Sequence, residues 1–161
     1  MKPILHFALL LVLSWCVMTT THEVGHLVGG YLSGGTLRQA ELRPWHLPHS
    51  RFSPDPRPLI TLWSGPVLGV LVPIALAAII RRRWGWFVAN FCLLANGVYL
   101  ALAWTTGDQL LDTARLFSAG ASRWSVAVFC LGTIGLGYPR FRQSLMEVFK
   151  PRTREASDAE S

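Results

Sequence analysis

Residues 4–32 read ILHFALLLVLSWCVMTTTHEVGHLVGGYL, an apolar run with two histidines and a glutamate near its far end. A helix over this stretch would be about 43 Å long at 1.5 Å per residue, more than the roughly 30 Å of a hydrocarbon core. Lys2 followed by an apolar run also resembles a secretory signal peptide, but no Ala-x-Ala-like cleavage site follows. We therefore predict a retained membrane-crossing helix that carries the polar cluster towards one end.

The composition indicates that lipid is the main solvent for much of the chain. The 161 residues are 51% hydrophobic and 15% charged, whereas a soluble domain is typically about a quarter charged. The formal net charge is +6, but the Lys and Arg residues lie mostly between or beyond the apolar runs. They form no basic face of the kind that binds nucleic acid, so we predict lipid and not nucleic acid as their partner. The three cysteines each lie inside an apolar run and fit neither a metal knuckle nor a disulfide framework.

Three further apolar segments follow, at residues 59–80, 84–104 and 124–138. The first two are long enough to cross a bilayer as helices, and the third can cross only if the bilayer thins or flanking residues are recruited. Tryptophans lie near the segment ends, as is typical of membrane interfaces. The sequence therefore predicts an all-α integral membrane protein with about four transmembrane helices, multi-pass, in a bacterial-type inner or plasma membrane.

The remaining segments are polar or rich in glycine and proline. Gly34-Gly35 breaks the first helix, and residues 36–43 are predicted to form a short strand or hairpin before a proline-rich, irregular loop. Residues 1–138 are expected to form one membrane-embedded domain. Residues 139–161 are expected to be a polar, disordered tail.

The sequence His22-Glu23-Val24-Gly25-His26 matches the HExxH pattern of zinc hydrolases. On a helix, His22 and His26 share one face and can bind one cation. A catalytic zinc takes three protein ligands and a water, and Glu23 is placed to accept the proton of that water. Ionisable residues within an apolar helix are costly and therefore indicate function. We predict a zinc site with His22 and His26 as ligands and Glu23 as the catalytic base.

A third ligand is needed, and several residues could supply it. Asp108 directly follows the third apolar segment and is the preferred candidate, with Asp112, one turn later, as the alternative. Glu41 would suit a soluble zinc protease, but it lies on the predicted strand. His46 and His49 lie in the proline-rich loop and are more typical of surface histidines.

Small and polar residues indicate how the helices pack. GxxxG patterns occur at residues 25–29 and 65–69, and such pairs allow close approach of helix backbones in lipid. Asn90 and Asn96 lie within the third apolar segment. Either could hydrogen-bond a substrate carbonyl, but joining helices is the favoured interpretation.

Together these features resemble the site-2 protease class of intramembrane zinc metalloproteases, in particular its small, minimal-core relatives, over residues 15–135. The matching pieces are Thr21-His22-Glu23-Val24-Gly25-His26, Gly34-Gly35, Ser64-Gly65-Pro66 and Gly107-Asp108-Gln109-Leu110-Leu111. The resemblance implies zinc held by His22, His26 and Asp108, with Glu23 as general base. It also implies that substrate binds as an extended strand beside residues 36–42.

The expected function is zinc-dependent endopeptidase activity on membrane-anchored protein substrates. The aspartate departs from the family's usual Leu-Asp-Gly context, because Gly107 precedes Asp108 and Gln109 follows it. The alternative is therefore a catalytically inactive pseudoprotease that binds membrane helices without cutting them. The distribution of basic residues favours cytoplasmic termini, whereas the resemblance implies the opposite direction for the first helix.

Overall fold

A computed structural model describes residues 3–46 and 48–150 as helices joined by short connections, with one hairpin. In chain order the elements are α1 (Pro3–Leu32), β1 (Leu37–Glu41), β2 (His49–Phe52), α2 (Pro58–Ile80), α3 (Arg83–Thr106), α4 (Asp112–Ser118) and α5 (Arg123–Phe149). The described part of the chain is thus mainly helical, with the predicted hairpin directly after the first helix.

Three of the helices, α1, α2 and α3, are long and apolar enough to cross a membrane. They coincide closely with the predicted spans at 4–32, 59–80 and 84–104. The fourth predicted span, 124–138, lies within α5. Within the described residues α5 does not belong to this apolar group, because its second half carries charged side chains such as Arg140 and Arg142.

The tail predicted to be disordered over residues 139–161 is instead helical as far as Phe149. Aromatic packing explains the difference. The ring of Phe141 lies 5.2 Å from that of Phe87 on α3, and the ring of Phe149 lies 5.4 Å from that of Phe7 on α1. These contacts pack aromatic side chains of a polar-looking segment against α1 and α3. The last residues of the predicted tail lie outside the described part of the chain.

Helices α1 and α2 meet at the predicted GxxxG glycines. A Cβ added at Gly25 would lie 2.8 Å from the Cα of Gly65, closer than real Cβ atoms come to a neighbouring backbone. A Cβ added at Gly69 would lie 2.8 Å from Oδ1 of Asn96 on α3. The small residues therefore allow α1, α2 and α3 to approach closely around the HExxH segment, as predicted.

The hairpin runs back along α1. Phe52 covers Gly30, where a Cβ would collide with its ring, and the indole of Trp15 donates to the carbonyl of Pro44 at 2.9 Å. Trp15 and Gly30 are separated by about 22 Å of helix rise at 1.5 Å per residue. Strand β1 matches the predicted strand, whereas β2 lies in the segment predicted to be irregular. Pairing with β1 and packing on α1 stabilise β2, and neither contact is visible in the local sequence.

We predict that Gly25→Ala destabilises the protein by about 1–3 kcal/mol, because the new methyl group would overpack the α1–α2 contact. Gly132→Ala is the matched control, since a Cβ at this α5 glycine meets nothing within 4 Å. Thermal unfolding in detergent would show a lower Tm for Gly25→Ala only. Equal Tm values for both variants would contradict the close packing of α1 on α2.

Candidate metal centre

Three buried side chains converge where α1 meets the first turn of α4. Nε2 of His22 lies 2.8 Å from Oδ2 of Asp112, and Nε2 of His26 lies 3.3 Å from the same oxygen. The exposed fractions of His22, His26 and Asp112 are 4%, 2% and 5%. His22 and His26 on α1 and Asp112 on α4 thus each place one side-chain atom at a single buried point.

The protonation of His26 follows from its second ring nitrogen. Nδ1 of His26 lies 2.9 Å from the backbone carbonyl oxygen of Thr61. A carbonyl can only accept a hydrogen bond, so Nδ1 of His26 carries a proton. In the neutral ring, Nε2 therefore presents a lone pair towards Asp112. Gly65 makes room for this imidazole, because a Cβ there would collide with the ring.

His22 is fixed in the same tautomer by Asn96. The Nδ2 amide of Asn96 donates to the carbonyl of Cys92 at 2.9 Å, which sets the orientation of the amide group. Oδ1 of Asn96 then faces Nδ1 of His22 at 2.8 Å and accepts a hydrogen bond from its N–H. Nε2 of the neutral His22 ring also presents a lone pair towards Asp112.

Asp112 is the anionic member of the group. Burial alone would raise the pKa of its carboxyl, but the charges of the neighbouring histidines and their hydrogen bonds lower that pKa well below its usual range. An ionised carboxylate only accepts hydrogen bonds, so if both imidazole rings were neutral, lone pairs of His22, His26 and Asp112 would face one another. A shared cation, either protons or a metal ion, must lie between them. Two imidazole nitrogens and one carboxylate oxygen are a ligand set that suits zinc.

The hydrogen bonds around these side chains also fit a metal site. Metal-binding histidines commonly donate their other N–H to a carbonyl or carboxylate, which orients the ring. Here the backbone of Thr61 and the amide of Asn96 provide the acceptors. Arg115 lies 3.4 Å from Oδ1 of Asp112, which leaves Oδ2 facing the histidines.

Glu23 lies beside this group and not at its centre. It is buried, and its Oε2 accepts a hydrogen bond from the hydroxyl of Ser50 at 2.9 Å. The candidate ligand atoms of His22, Glu23 and His26 all lie within 4.8 Å of one another. Asp112 lies closer than that to both histidine nitrogens, at 2.8 and 3.3 Å.

A cleft leads from the surface to these residues. It has a volume of about 680 Å³ and lies between the hairpin and the segment before and within α4. Glu23, Tyr99 and Asp112 form part of its lining. The cleft therefore connects the buried carboxylates of Glu23 and Asp112 to the surface.

Asp108, the preferred third ligand in the sequence analysis, is not brought to the histidines. Its side chain is exposed, and Oδ1 accepts the backbone N–H of Leu110 at 2.9 Å in the turn after α3. Gly107 ends α3 with a left-handed conformation, and α4 begins only at Asp112. The structure therefore brings Asp112, the alternative candidate, and not Asp108 to the histidines, because α4 begins only after this turn.

The other candidate ligands lie along the cleft. Glu41 is paired with Arg43, whose hydrogen bonds lower the pKa of the Glu41 carboxyl to about 2. His46 and His49 both line the cleft wall. None of these three belongs to the group of side chains around His22 and His26.

Four site residues were not identified from the sequence. They are Ser50, Thr61, Tyr99 and Arg115, which contact Glu23, His26 or Asp112. Tyr99 follows Asn96 by three residues and Arg115 follows Asp112 by three, so helical spacing could have found these two. Ser50 and the carbonyl of Thr61 had no comparable signal.

No family model, curated protein or solved structure matches this chain. Its functional interpretation therefore depends on the geometry of the residues described above.

We predict that Asn96→Ala lowers zinc affinity about 10- to 100-fold, because His22 loses the acceptor that fixes its tautomer. Asn90→Ala is the matched control. Asn90, six residues earlier on α3, donates to Ser144 on α5 at 3.0 Å and contacts no ligand histidine. Competition with a chromophoric chelator would measure both affinities. An unchanged affinity in Asn96→Ala would show that this amide does not support the metal site.

Proposed function

We propose that the protein is a zinc-dependent intramembrane endopeptidase that hydrolyses peptide bonds of membrane-anchored proteins. The observation that carries this proposal is the convergence of Nε2 of His22 and Nε2 of His26 on the Asp112 carboxylate, with Glu23 beside them. Such a group supplies three metal ligands and a separate base, which together are what zinc-assisted hydrolysis requires.

Zinc, when bound by these residues, acts as a Lewis acid that makes water nucleophilic near neutral pH. Glu23 then removes a proton from the attacking water as the water oxygen bonds to the carbonyl carbon. The π-electron pair of the carbonyl moves onto its oxygen. Glu23 delivers the same proton to the amide nitrogen as the C–N bond breaks, so the products are a carboxylic acid and an amine.

Ser50 holds Glu23 for this task. The hydroxyl of Ser50 donates to Oε2 at 2.9 Å, which orients the carboxylate at the inner end of the cleft. The guanidinium of Arg115 lies 3.3 Å from the carbonyl oxygen of Ser50 and 3.4 Å from Oδ1 of Asp112. The base and the third ligand are thus held by one connected set of hydrogen bonds.

The cleft suits an extended substrate. Among the described residues the hairpin contains only β1 and β2, so each strand has one edge available for pairing. An extended peptide could add to such an edge beside the carboxylates. A helical peptide bond is shielded by its own backbone, so we propose that a substrate helix unwinds locally in the cleft.

The three long apolar helices support a membrane setting. We propose a multi-pass protein of a bacterial-type inner or plasma membrane in which α1, α2 and α3 cross the bilayer and α5 crosses beside α3. His22 follows the first residue of α1 by about 28 Å of helix rise. The site would then lie towards one face of the membrane, where water can enter.

We predict that Asp112→Ala abolishes stoichiometric zinc binding. The loss of affinity should exceed the 10- to 100-fold loss that is typical when only a hydrogen-bond partner of a ligand is removed. Asp108→Ala is the matched control and should keep about one zinc per chain, because its side chain is exposed in the preceding turn. Elemental analysis of detergent-purified, metal-replete protein distinguishes the two. Zinc loss in Asp108→Ala with retention in Asp112→Ala would reverse the assignment.

We predict that Glu23→Gln retains zinc but lowers kcat about 10²- to 10⁴-fold, because the amide cannot accept the proton of water. Cleavage of a model single-span substrate in mixed micelles would measure this. Zinc-loaded wild-type protein that binds such substrates without cleaving them would instead support the pseudoprotease alternative.

A further inference from the structure

Tyr99 places a phenol hydroxyl at the metal centre without any role in the chemistry described so far. Its oxygen lies 3.3 Å from Oδ2 of Asp112, the atom on which both histidines converge. Tyr99 also lines the cleft, together with Glu23. Tyr99 therefore both contacts the ligand group and lines the cleft in which we propose that the substrate binds.

The position of this hydroxyl is fixed by helix geometry. Tyr99 follows Asn96 by three residues on α3, so both side chains project from one face towards His22. The rings of Tyr99 and His22 meet edge to face, with centroids 5.5 Å apart and planes at 87°. The helix that orients His22 thus also orients the phenol.

The hydrogen bond from Tyr99 to Asp112 is long. Hydroxyl donors usually lie about 2.7–2.8 Å from their acceptor, compared with 3.3 Å here. A cation held by Oδ2 would make that oxygen a still weaker acceptor. The phenol proton is therefore available to a stronger acceptor that forms nearby.

Other donors near the cleft floor are engaged elsewhere. The Ser50 hydroxyl donates to Glu23. The Arg115 guanidinium lies against the Asp112 carboxylate and the Ser50 carbonyl. Tyr99 and Arg115 therefore make only long hydrogen bonds, of 3.3–3.4 Å, and of these two residues Tyr99 also packs against the ring of His22.

We propose that Tyr99 is a catalytic residue whose hydroxyl donates a hydrogen bond to the substrate carbonyl oxygen as that oxygen becomes an oxyanion. This inference rests on the proposed function. The carbonyl carbon becomes tetrahedral as water adds, and the negative charge that develops on its oxygen is stabilised by the O–H dipole. The Tyr99 proton stays on the phenol throughout, and the transferred proton is the one carried by Glu23.

The test compares Tyr99→Phe with wild type and with Tyr138→Phe, an exposed tyrosine on α5. Three kinds of measurement are made on zinc-loaded protein in detergent. They give the zinc content, the kcat and KM for a model single-span substrate, and the Kd values for two peptides. One peptide contains a phosphinate that mimics the tetrahedral oxyanion, and the other is an uncleavable N-methyl amide of the same sequence.

We expect Tyr99→Phe to keep one zinc and a similar KM while kcat falls about 10²-fold, the usual effect of losing one oxyanion donor. Affinity for the phosphinate should fall in parallel, with little change for the N-methyl peptide, because only the former resembles the transition state. Tyr138→Phe should match wild type in every measurement.

Several results would overturn the proposal. An unchanged kcat and phosphinate affinity would remove Tyr99 from the reaction. Loss of zinc together with activity would show that Tyr99 acts only by positioning Asp112. A wild type that cleaves no substrate would count against the proposed function. Phosphinate binding needs no turnover, so the ratio of the wild-type and Tyr99→Phe affinities for the phosphinate would still test the role of Tyr99. A zinc-loaded wild type that does not bind the phosphinate would overturn both.

Discussion

Two hydrogen bonds to backbone or amide oxygens determine what the centre of this protein can bind. The carbonyl of Thr61 and the amide oxygen of Asn96 each require a proton on Nδ1 of a histidine. In neutral rings, the Nε2 lone pairs of His22 and His26 then face the Asp112 carboxylate. Without a cation between them this arrangement is repulsive, and in a buried site the repulsion is poorly screened. The rest of the fold can be understood as the means of bringing these atoms together.

Close helix packing makes that arrangement possible. Gly65 leaves space for the imidazole of His26, and Gly69 leaves space for the side chain of Asn96. A methyl group at either position would displace a group that orients the site. The GxxxG patterns therefore serve two purposes, since they join α1 to α2 and also create room for polar side chains in an apolar interior.

The hairpin connects the centre to the place where substrate would bind. Ser50 on β2 donates to Glu23 through its side chain, and its carbonyl lies near Arg115. Arg115 in turn contacts Asp112. A shift of β2 would therefore move Glu23 and Asp112, the proposed base and the proposed third ligand, together. In the proposed function, pairing of a substrate with the hairpin would act on both residues through this set of contacts.

Periodic and compositional features of the sequence predicted the fold and part of the site. The apolar runs identified α1, α2 and α3, and the HExxH spacing placed His22 and His26 on one face. The choice between Asp108 and Asp112 as the proposed third ligand depended on where α4 begins after the turn at Gly107. The sequence around these two aspartates does not show where that helix begins. The helix beyond residue 139 depended on aromatic contacts with distant helices. Such tertiary contacts leave little trace in the local sequence.

X-ray absorption at the zinc edge of the detergent-purified, metal-replete protein would test whether His22, His26 and Asp112 bind zinc. We expect one zinc per chain with two imidazole nitrogens at about 2.0–2.1 Å and oxygen ligands at about 2.0–2.2 Å. Sulfur ligands, a single imidazole, or protein that takes up no zinc would contradict it.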